Sequence, residues 1–298
     1  MSGTYRSGTV RKVATAFVAG TVALGTLLGA GMQSVAAAEW SDTSIGWRYG
    51  TNFREPYNPN DISKNIIDFQ HASGYKYGVN FFNVDLLMSD SNDPGNGGGP
   101  NGNSGAGAQE AYVVYRNTVD LSKVTGNEYK FGIVRGLGGT FGFDWNSKND
   151  AYSSKKRMLV LGPTLMMDVP GFLNVSVLVL DESNAPNGIS GRYYYKTHPE
   201  LDIAWGIPFG DSPFSFQGYF DYIAAKGTDE FGGGTVPETH FDGAIMLDVG
   251  RVMGGPKNTF KVGFEYEYWK NKFGNDHEGP AGSGAFAKTP MIRAEYHF

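Results

Sequence analysis

The side chains that could recognise a solute stand at alternate positions in the second half of the chain. Tyr219 and Asp221 are two residues apart, and so are Glu265, Glu267 and Trp269. A flat aromatic ring can stack on a heterocycle, and a carboxylate can accept hydrogen bonds from sugar hydroxyls. Because side chains two apart share one face of a β-strand, each group would present its members to a single surface. This spacing predicts a solute-binding wall built on strands.

The same alternation extends this wall along the chain and makes it acidic. Four basic residues share its parity, namely Arg48, Arg116, Lys261 and Arg293. Ten carboxylates have the same parity: Asp68, Asp144, Glu200, Asp202, Asp221, Asp242, Asp248, Glu265, Glu267 and Glu295. Such a surface repels phosphates and fatty-acid carboxylates, and it suits cations or uncharged polar solutes. The candidate substrate-contacting residues are Asp68, Gln70, Tyr112, Asp144, Tyr219, Asp221, Asp242, Glu265, Glu267, Trp269, Arg293 and Glu295.

Catalytic and metal-binding motifs are missing from the sequence. The chain has no cysteine, which excludes disulfides, thiol nucleophiles and thiolate metal sites. It also has no G-x-S-x-G, no H-E-x-x-H and no other metal-ligand spacing, so we expect neither a cofactor nor a metal. His198 and Glu200 are one possible acid–base pair. They leave a membrane-embedded enzyme, a protease or an acyl hydrolase, as an alternative.

The elements that must position these residues are β-strands. From Phe260 to Tyr268, large apolar residues fill the even positions, while polar residues or glycine fill the odd ones. This period of two is typical of a strand with one apolar face. No run beyond Glu39 has the roughly 18 apolar residues of a spanning helix. About twelve strands are predicted, near 41–50, 64–73, 76–88, 109–119, 137–147, 156–168, 172–182, 198–208, 213–226, 239–252, 258–270 and 286–298.

The connections predict how these strands close on one another. Those after strands two, six, eight and ten are short, whereas those after strands one, three, seven, nine and eleven are long and polar. Only the connection from about Asp120 to Gly136 breaks this pattern. Tight turns at one end, long loops at the other and an even strand number are typical of outer-membrane barrels. We therefore predict an all-β fold, a transmembrane antiparallel β-barrel of about 12 strands in the outer membrane of a Gram-negative bacterium.

Aromatic residues support the barrel. The sequence holds 20 Phe, 17 Tyr and 5 Trp, and those of outward parity gather near both ends of the strands as two belts. The belts contain Phe209, Phe214, Phe260 and Phe298 near the short turns, and Trp47, Tyr49, Trp145, Tyr222 and Tyr268 near the long loops. A secreted β-sandwich, the alternative fold, would pool its aromatics in one core. In a barrel the surface that carries the ten carboxylates lines the lumen. The lumen is either a cation-selective pore or, in a structural or adhesive barrel, a filled interior.

The first 38 residues are predicted to be a cleaved signal peptide. Arg6, Arg11 and Lys12 precede an apolar stretch, and Ala36 to Ala38 supply the small residues of a cleavage site. The barrel then occupies residues 39–298. Without these three basic residues, 22 Lys and Arg stand against 30 Asp and Glu, a net charge of −8. This sign argues against a nucleic-acid partner, because phosphate binding needs positive charge.

The sequence resembles the nucleoside-specific channel-forming (Tsx-type) outer-membrane proteins. The resemblance is carried by the segments 46–50 (GWRYG), 53–56 (FREP), 66–71 (IIDFQH), 78–85 (GVNFFNVD) and 130–132 (KFG). It implies a monomeric barrel of twelve strands that passes nucleosides by diffusion, with outer-membrane lipid as its surroundings. The closing Tyr296-His297-Phe298 resembles the terminal aromatic signature of Gram-negative barrels. It implies that the barrel-assembly machinery is a partner through Phe298.

Overall fold

The structure is a computed structural model that describes residues 38–96 and 103–298, without the side chains of residues 103–105. The predicted signal peptide therefore falls outside the described residues, except for Ala38. Among the described residues, no helix is long and apolar enough to cross a membrane.

Twelve long strands form one closed antiparallel barrel. Each of these strands pairs with the next one along the chain, and the last pairs with the first to close the circle. The barrel strands are β1 (Trp40–Glu55), β2 (Asn58–Tyr75), β3 (Gly78–Ser89), β6 (Gln109–Asp120), β7 (Val134–Lys148), β8 (Arg157–Met167), β9 (Phe172–Asn184), β11 (His198–Pro208), β12 (Phe214–Ile223), β13 (Glu238–Asp248), β14 (Phe260–Lys270) and β15 (Phe286–His297).

Short elements occupy the connections of the barrel. The loop between β3 and β6 contains the two-stranded β4 (Pro94–Asn96) and β5 (Asn103–Gly107), and β10 (Tyr193–Tyr194) pairs with the end of β9. Helical turns lie at Leu121–Thr125, Val249–Val252, Lys272–Gly274 and Gly282–Ala285. The turn at Leu121–Thr125 lies in the connection between β6 and β7, the one that breaks the predicted alternation of loop lengths. This connection is long because it contains a helical turn.

The predicted twelve-stranded barrel is confirmed, but two predicted details are wrong. The tenth strand, predicted over 239–252, ends at Asp248, and Val249–Val252 form a helical turn. The first outer loop is not a long polar loop, because β1 continues to Glu55 and β2 begins at Asn58. Only Pro56 and Tyr57 lie between them. The alternation is hidden here by register shifts in β1 on both sides of Phe53, which break the period of two. The prediction for β11, residues 198–208, has the observed bounds.

The outward face of the barrel is apolar. Ile245, Phe264 and Ile292 stand side by side across β13, β14 and β15, and each exposes more than half of its surface. Similar rows continue around the barrel, for example Leu159 and Leu161 on β8 with Val177 and Val179 on β9, where Leu161 is directly opposite Val179. A water-soluble protein would not expose so continuous an apolar surface, whereas the hydrocarbon of a membrane accommodates it.

Two apolar clusters lie on the inward face and narrow the interior. One joins Phe53, Ile62, Ile66 and Met291, with Leu87 packed against it. The other joins Met158, Val160, Leu178 and Leu180, with Ile223 packed against it. They come from opposite parts of the strand order, β15 to β3 and β8 to β12. The lumen is therefore partly filled by side chains, as in other small barrels.

Candidate functional site

The candidate site is the inner wall of the barrel. All twelve residues proposed from the sequence to line a pore fall on inward positions of their strands, because they share the alternation of the buried Arg48, Asp68 and Glu265. Position alone does not give them one role. The side chains separate into a paired region, an unpaired acidic wall and an aromatic group.

Arg48 is the centre of the paired region. Its guanidinium lies 2.5 Å from Asp85, 3.4 Å from Glu265 and 3.5 Å from Asp68. Asp68 is fully buried, and neither of its carboxylate oxygens has a hydrogen-bond partner. It fits because the opposite residue is Gly46, where a Cβ atom would lie 2.3 Å from its Oδ1. Among the described residues, Arg48 is the only ion-pair partner of Asp68.

Arg293 continues this region on the neighbouring strand. It lies 3.0 Å from Glu265 and 2.6 Å from Glu295, and Gln217 donates a hydrogen bond of 2.8 Å to Glu295. Glu265 therefore lies between two arginines and is fully buried. A carboxylate held in this way is structural, so Glu265 and Glu295 do not present free charge to a passing solute.

A third arginine and a row of hydroxyls complete the paired region. Arg116 lies 2.5 Å from Asp144, which also accepts a hydrogen bond of 2.9 Å from the Tyr112 hydroxyl. Nearby, hydroxyls bridge four successive strands with separations of 2.6 to 3.0 Å. These hydroxyls belong to Thr118, Thr140, Thr164 and Ser176. Polar groups on β6 to β9 thus satisfy one another across the strands.

The opposite wall, on β11 to β13, carries acidic groups without basic partners. We call Glu200, Asp202, Asp221 and Asp242 the acidic wall. In the described part of the chain, none of the four has a Lys, Arg or His nitrogen within 4.0 Å. Asp202 and Asp221 are directly opposite each other on neighbouring strands. One buried oxygen of Glu200 and one of Asp221 also have no hydrogen-bond partner among the described residues. Charge of one sign is therefore concentrated on one side of the lumen.

An aromatic group borders the acidic wall. The Trp269 and His240 rings stack with their centroids 3.9 Å apart, and Tyr219 meets His240 edge-on at 5.0 Å. Lys272 places its ammonium 4.4 Å from the centroid of the Trp269 ring. His240 and Lys272 thus both lie against the Trp269 ring. Tyr219 remains 36% exposed, the largest exposure among inward aromatics at mid-strand height.

Lysines missed by the sequence reasoning close the outer end of the lumen. Glu55 lies 2.7 Å from Lys64, 3.4 Å from Lys148 and 3.5 Å from Lys272, and Lys148 also lies 3.0 Å from Asp93. The predicted count of four inward basic groups is therefore wrong. Lys64 and Lys148 both have the inward parity. Lys64 is the first residue of its predicted strand, and Lys148 lies one residue beyond the end of its own. Lys272 comes from a loop, where alternation gives no signal.

The polar contacts of these lysines hold outer loops over the barrel mouth. Asp93 belongs to the loop between β3 and β6, and Lys272 belongs to the loop between β14 and β15. A further contact joins the next loops, because Tyr152 and Tyr195 both donate hydrogen bonds to Glu230. Burial, and then the hydrogen bond to Glu230, raise the pKa of the Tyr195 hydroxyl well above its ordinary value. The outer loops form a connected cap.

The acid–base pair suggested by the sequence is not formed between its two members. His198 is buried, and its Nδ1 lies 2.9 Å from the carbonyl oxygen of Lys196. Its Nε2 lies 3.9 Å from Glu182 and not within ion-pair distance of Glu200. These contacts tie β11 to β9 and to the loop before it, which is a structural role.

Several solved barrels have a similar course of the chain. The KdgM porin aligns with 86% of this chain and 99% of its own at 11% identity and a TM-score of 0.41. The outer membrane protein OpdK of Pseudomonas aeruginosa aligns with 88% of this chain and 99% of its own at 9% identity and a TM-score of 0.39. The translocator domain of the autotransporter NalP of Neisseria meningitidis aligns with 98% of this chain and 100% of its own at 13% identity and a TM-score of 0.39.

No protein-family model matches the sequence, and no curated protein sequence matches it. The closed strand order and the apolar outward face place the protein among the β-barrels of the bacterial outer membrane. What it does has to be inferred from its lumen.

Proposed function

We propose that the protein is a narrow, cation-selective channel for small polar solutes, with nucleosides as the favoured substrates. One observation carries the channel, namely the acidic wall. A purely structural interior neutralises its charges, because an ionised group without a partner is costly to bury. Four neighbouring carboxylates that have no basic nitrogen within 4.0 Å among the described residues can remain ionised only where water or cations reach them, so the proposal requires an aqueous lumen along β11 to β13.

The distribution of charge supports selectivity for cations. Arg48, Arg116 and Arg293 are all engaged by carboxylates, so they offer little free positive charge to an anion. In the described ranges the acidic wall has no basic nitrogen within 4.0 Å. Field lines in a narrow, low-dielectric lumen are concentrated, which strengthens attraction of cations and repulsion of anions.

Nucleosides are supported by the aromatic group beside the acidic wall. Tyr219 is exposed to the lumen, and stacking a base on an aromatic ring contributes about 1–3 kcal/mol. Asp221 is two residues along the same face and can accept hydrogen bonds from sugar hydroxyls. Trp269, also proposed from the sequence, would stack on a base only after displacement of His240, so we assign the stacking to Tyr219.

A planar-bilayer measurement of the refolded barrel tests both parts of the proposal. The reversal potential in a salt gradient should show preference for cations, and Glu200→Gln combined with Asp202→Asn should reduce it. Nucleosides should reduce the single-channel current more than free sugars of similar size. Tyr219→Ala should weaken this block, while the lipid-facing control Tyr222→Ala should leave it unchanged. A preference for anions contradicts the selectivity, and equal block by sugars contradicts the nucleoside.

A structural barrel with a filled lumen is the second candidate. It is favoured by the two inward apolar clusters and by the lysine contacts that close the outer end. The same experiment separates the two functions, because a filled barrel inserts into the bilayer without carrying current.

A further inference from the structure

Three metal-ligating side chains meet on the inward face of β13 and β14. His240, Asp242 and Glu267 each offer one ligand atom, and these atoms lie within 4.8 Å of one another. The strand register explains the meeting. Asp242 is directly opposite Glu267, and His240 is two residues from Asp242 on the same face. The backbone pairing of two adjacent strands therefore brings one imidazole nitrogen and two carboxylate oxygens to one place.

The carboxylates of this cluster are buried, and His240 is their one ion-pair partner among the described residues. Glu267 is 7% exposed, and its Oε1 has no hydrogen-bond partner in the part of the chain that the structure describes. Its other oxygen lies 3.7 Å from Nε2 of His240. Asp242 is equally buried, and across the described ranges it has no ion-pair partner. Two buried carboxylates in adjacent register repel each other unless a cation is placed between them.

The imidazole of the cluster is already held in place. His240 stacks on Trp269 with an angle of 7° between the ring planes. Its Nε2, the nitrogen that faces Glu267, lies 3.3 Å from the Tyr219 hydroxyl, so a metal ion bound there would take the place of this hydrogen bond. The stacking already orients the ring, and a ring that is already oriented loses less freedom on binding.

We propose that His240, Asp242 and Glu267 bind a divalent transition-metal ion of the Zn²⁺ class in the lumen. A donor set of one imidazole and two carboxylates suits Zn²⁺ and its neighbours, whereas Ca²⁺ and Mg²⁺ prefer oxygen ligands alone. Bond lengths of about 2.0–2.2 Å place tetrahedral ligand atoms roughly 3.4 Å apart. The ligand atoms, now within 4.8 Å of one another, would close by small side-chain rotations.

This site goes beyond the proposed transport function and does not depend on it. A bound divalent ion would neutralise the negative charge of Asp242 and Glu267. In a conducting lumen it would also stand beside Tyr219, the exposed aromatic ring. Metal binding should therefore reduce the current of an open channel, while the binding itself can be measured on a barrel that carries no current.

The experiment measures Zn²⁺ binding to the full refolded barrel, without a histidine tag, by isothermal titration calorimetry in detergent. We expect one saturable Zn²⁺ per chain. His240→Gln, Asp242→Asn and Glu267→Gln should each weaken it by at least about tenfold. Glu200→Gln is the matched control, since it removes a buried lumen carboxylate outside the cluster, and it should bind like the parent. Circular dichroism and heat-modifiable gel mobility show that each variant has folded.

A second probe reports on the ligands directly. Co²⁺ bound to the parent should give visible absorption bands of a low-coordinate site, and His240→Gln should abolish them. The proposal is overturned if the parent shows no saturable Zn²⁺ binding, if folded Asp242→Asn and Glu267→Gln bind as the parent does, or if Ca²⁺ binds as tightly as Zn²⁺. Zn²⁺ binding by a non-conducting barrel supports this site while refuting the channel, and conduction without Zn²⁺ binding has the opposite meaning.

Discussion

Replacing Arg48 by Met removes the only described ion-pair partner of Asp68, a carboxylate that is fully buried and accepts no hydrogen bond. The other two partners of Arg48 are less affected. Glu265 keeps Arg293 at 3.0 Å, and Asp85 keeps a hydrogen bond of 3.0 Å from Asn83. The loss should therefore come mainly from Asp68. Leaving one charge of a buried pair without its partner costs about 3–5 kcal/mol.

The strongest consequence is a failure of additivity. Asp68→Asn alone should change the free energy of unfolding little, because its carboxylate accepts no hydrogen bonds and Arg48 keeps two other carboxylates. In the double variant the amide carries no charge. The combination of Arg48→Met and Asp68→Asn should therefore be more stable than Arg48→Met.

The measurement is urea unfolding of the barrel in lipid vesicles, followed by tryptophan fluorescence. Arg54→Met is the matched control, because Arg54 pairs with Asp61 at the exposed outer hairpin and such a pair contributes less than about 1 kcal/mol. If the double variant loses the sum of the two single effects, or if Arg54→Met costs as much as Arg48→Met, the buried-charge explanation is wrong.

Three further predictions concern the lipid face and the outer cap. Phe264→Arg, at mid-strand, should cost about 2–4 kcal/mol in vesicle refolding, while Phe260→Arg near the short turn should cost at most about 1 kcal/mol; equal costs would contradict the membrane depth assigned to β14. The raised pKa of Tyr195 keeps its stabilising contribution complete below the ordinary value of 10.0 and removes it as the pH rises further. Loop proteolysis of the parent should therefore accelerate above about pH 10, and Tyr195→Phe should show no such acceleration from this site. Lys148→Met should release the loop held through Asp93 and increase the single-channel current; an unchanged current from the folded variant would show that the lysine does not restrict the mouth.

One control that strand alternation suggests is unsuitable in the structure. By parity Gly263 faces the lumen, so alternation alone predicts that Gly263→Arg is milder than Phe264→Arg. A Cβ atom at Gly263 would lie 2.3 Å from the Met246 sulfur and 2.5 Å from the Ile245 carbonyl oxygen. The lumen has no room at this position, so the substitution should be damaging for steric reasons. Phe260 replaces it as the control.

The barrel itself was determined by the sequence, because strand alternation is a local property. A period of two in side-chain polarity separates a lipid face from an inner face without knowledge of any contact. It was sufficient for twelve strands and for the inward position of residues such as Asp221 and Glu267. Strand alternation fails at Phe53, where register shifts interrupt the period of two. Alternation therefore predicts a loop where the structure has the first hairpin.

Tertiary structure alone decided which inward groups are free. Glu265 and Asp221 have the same parity and charge, yet Glu265 lies between two arginines while Asp221 has no arginine within 4.0 Å among the described residues. The difference depends on side chains from strands distant in sequence, and alternation carries no information about these. The meeting of His240 with Asp242 and Glu267 depends likewise on the register between β13 and β14. Ligand spacing in the sequence could not reveal it, because hydrogen bonding between strands sets which residues stand opposite one another.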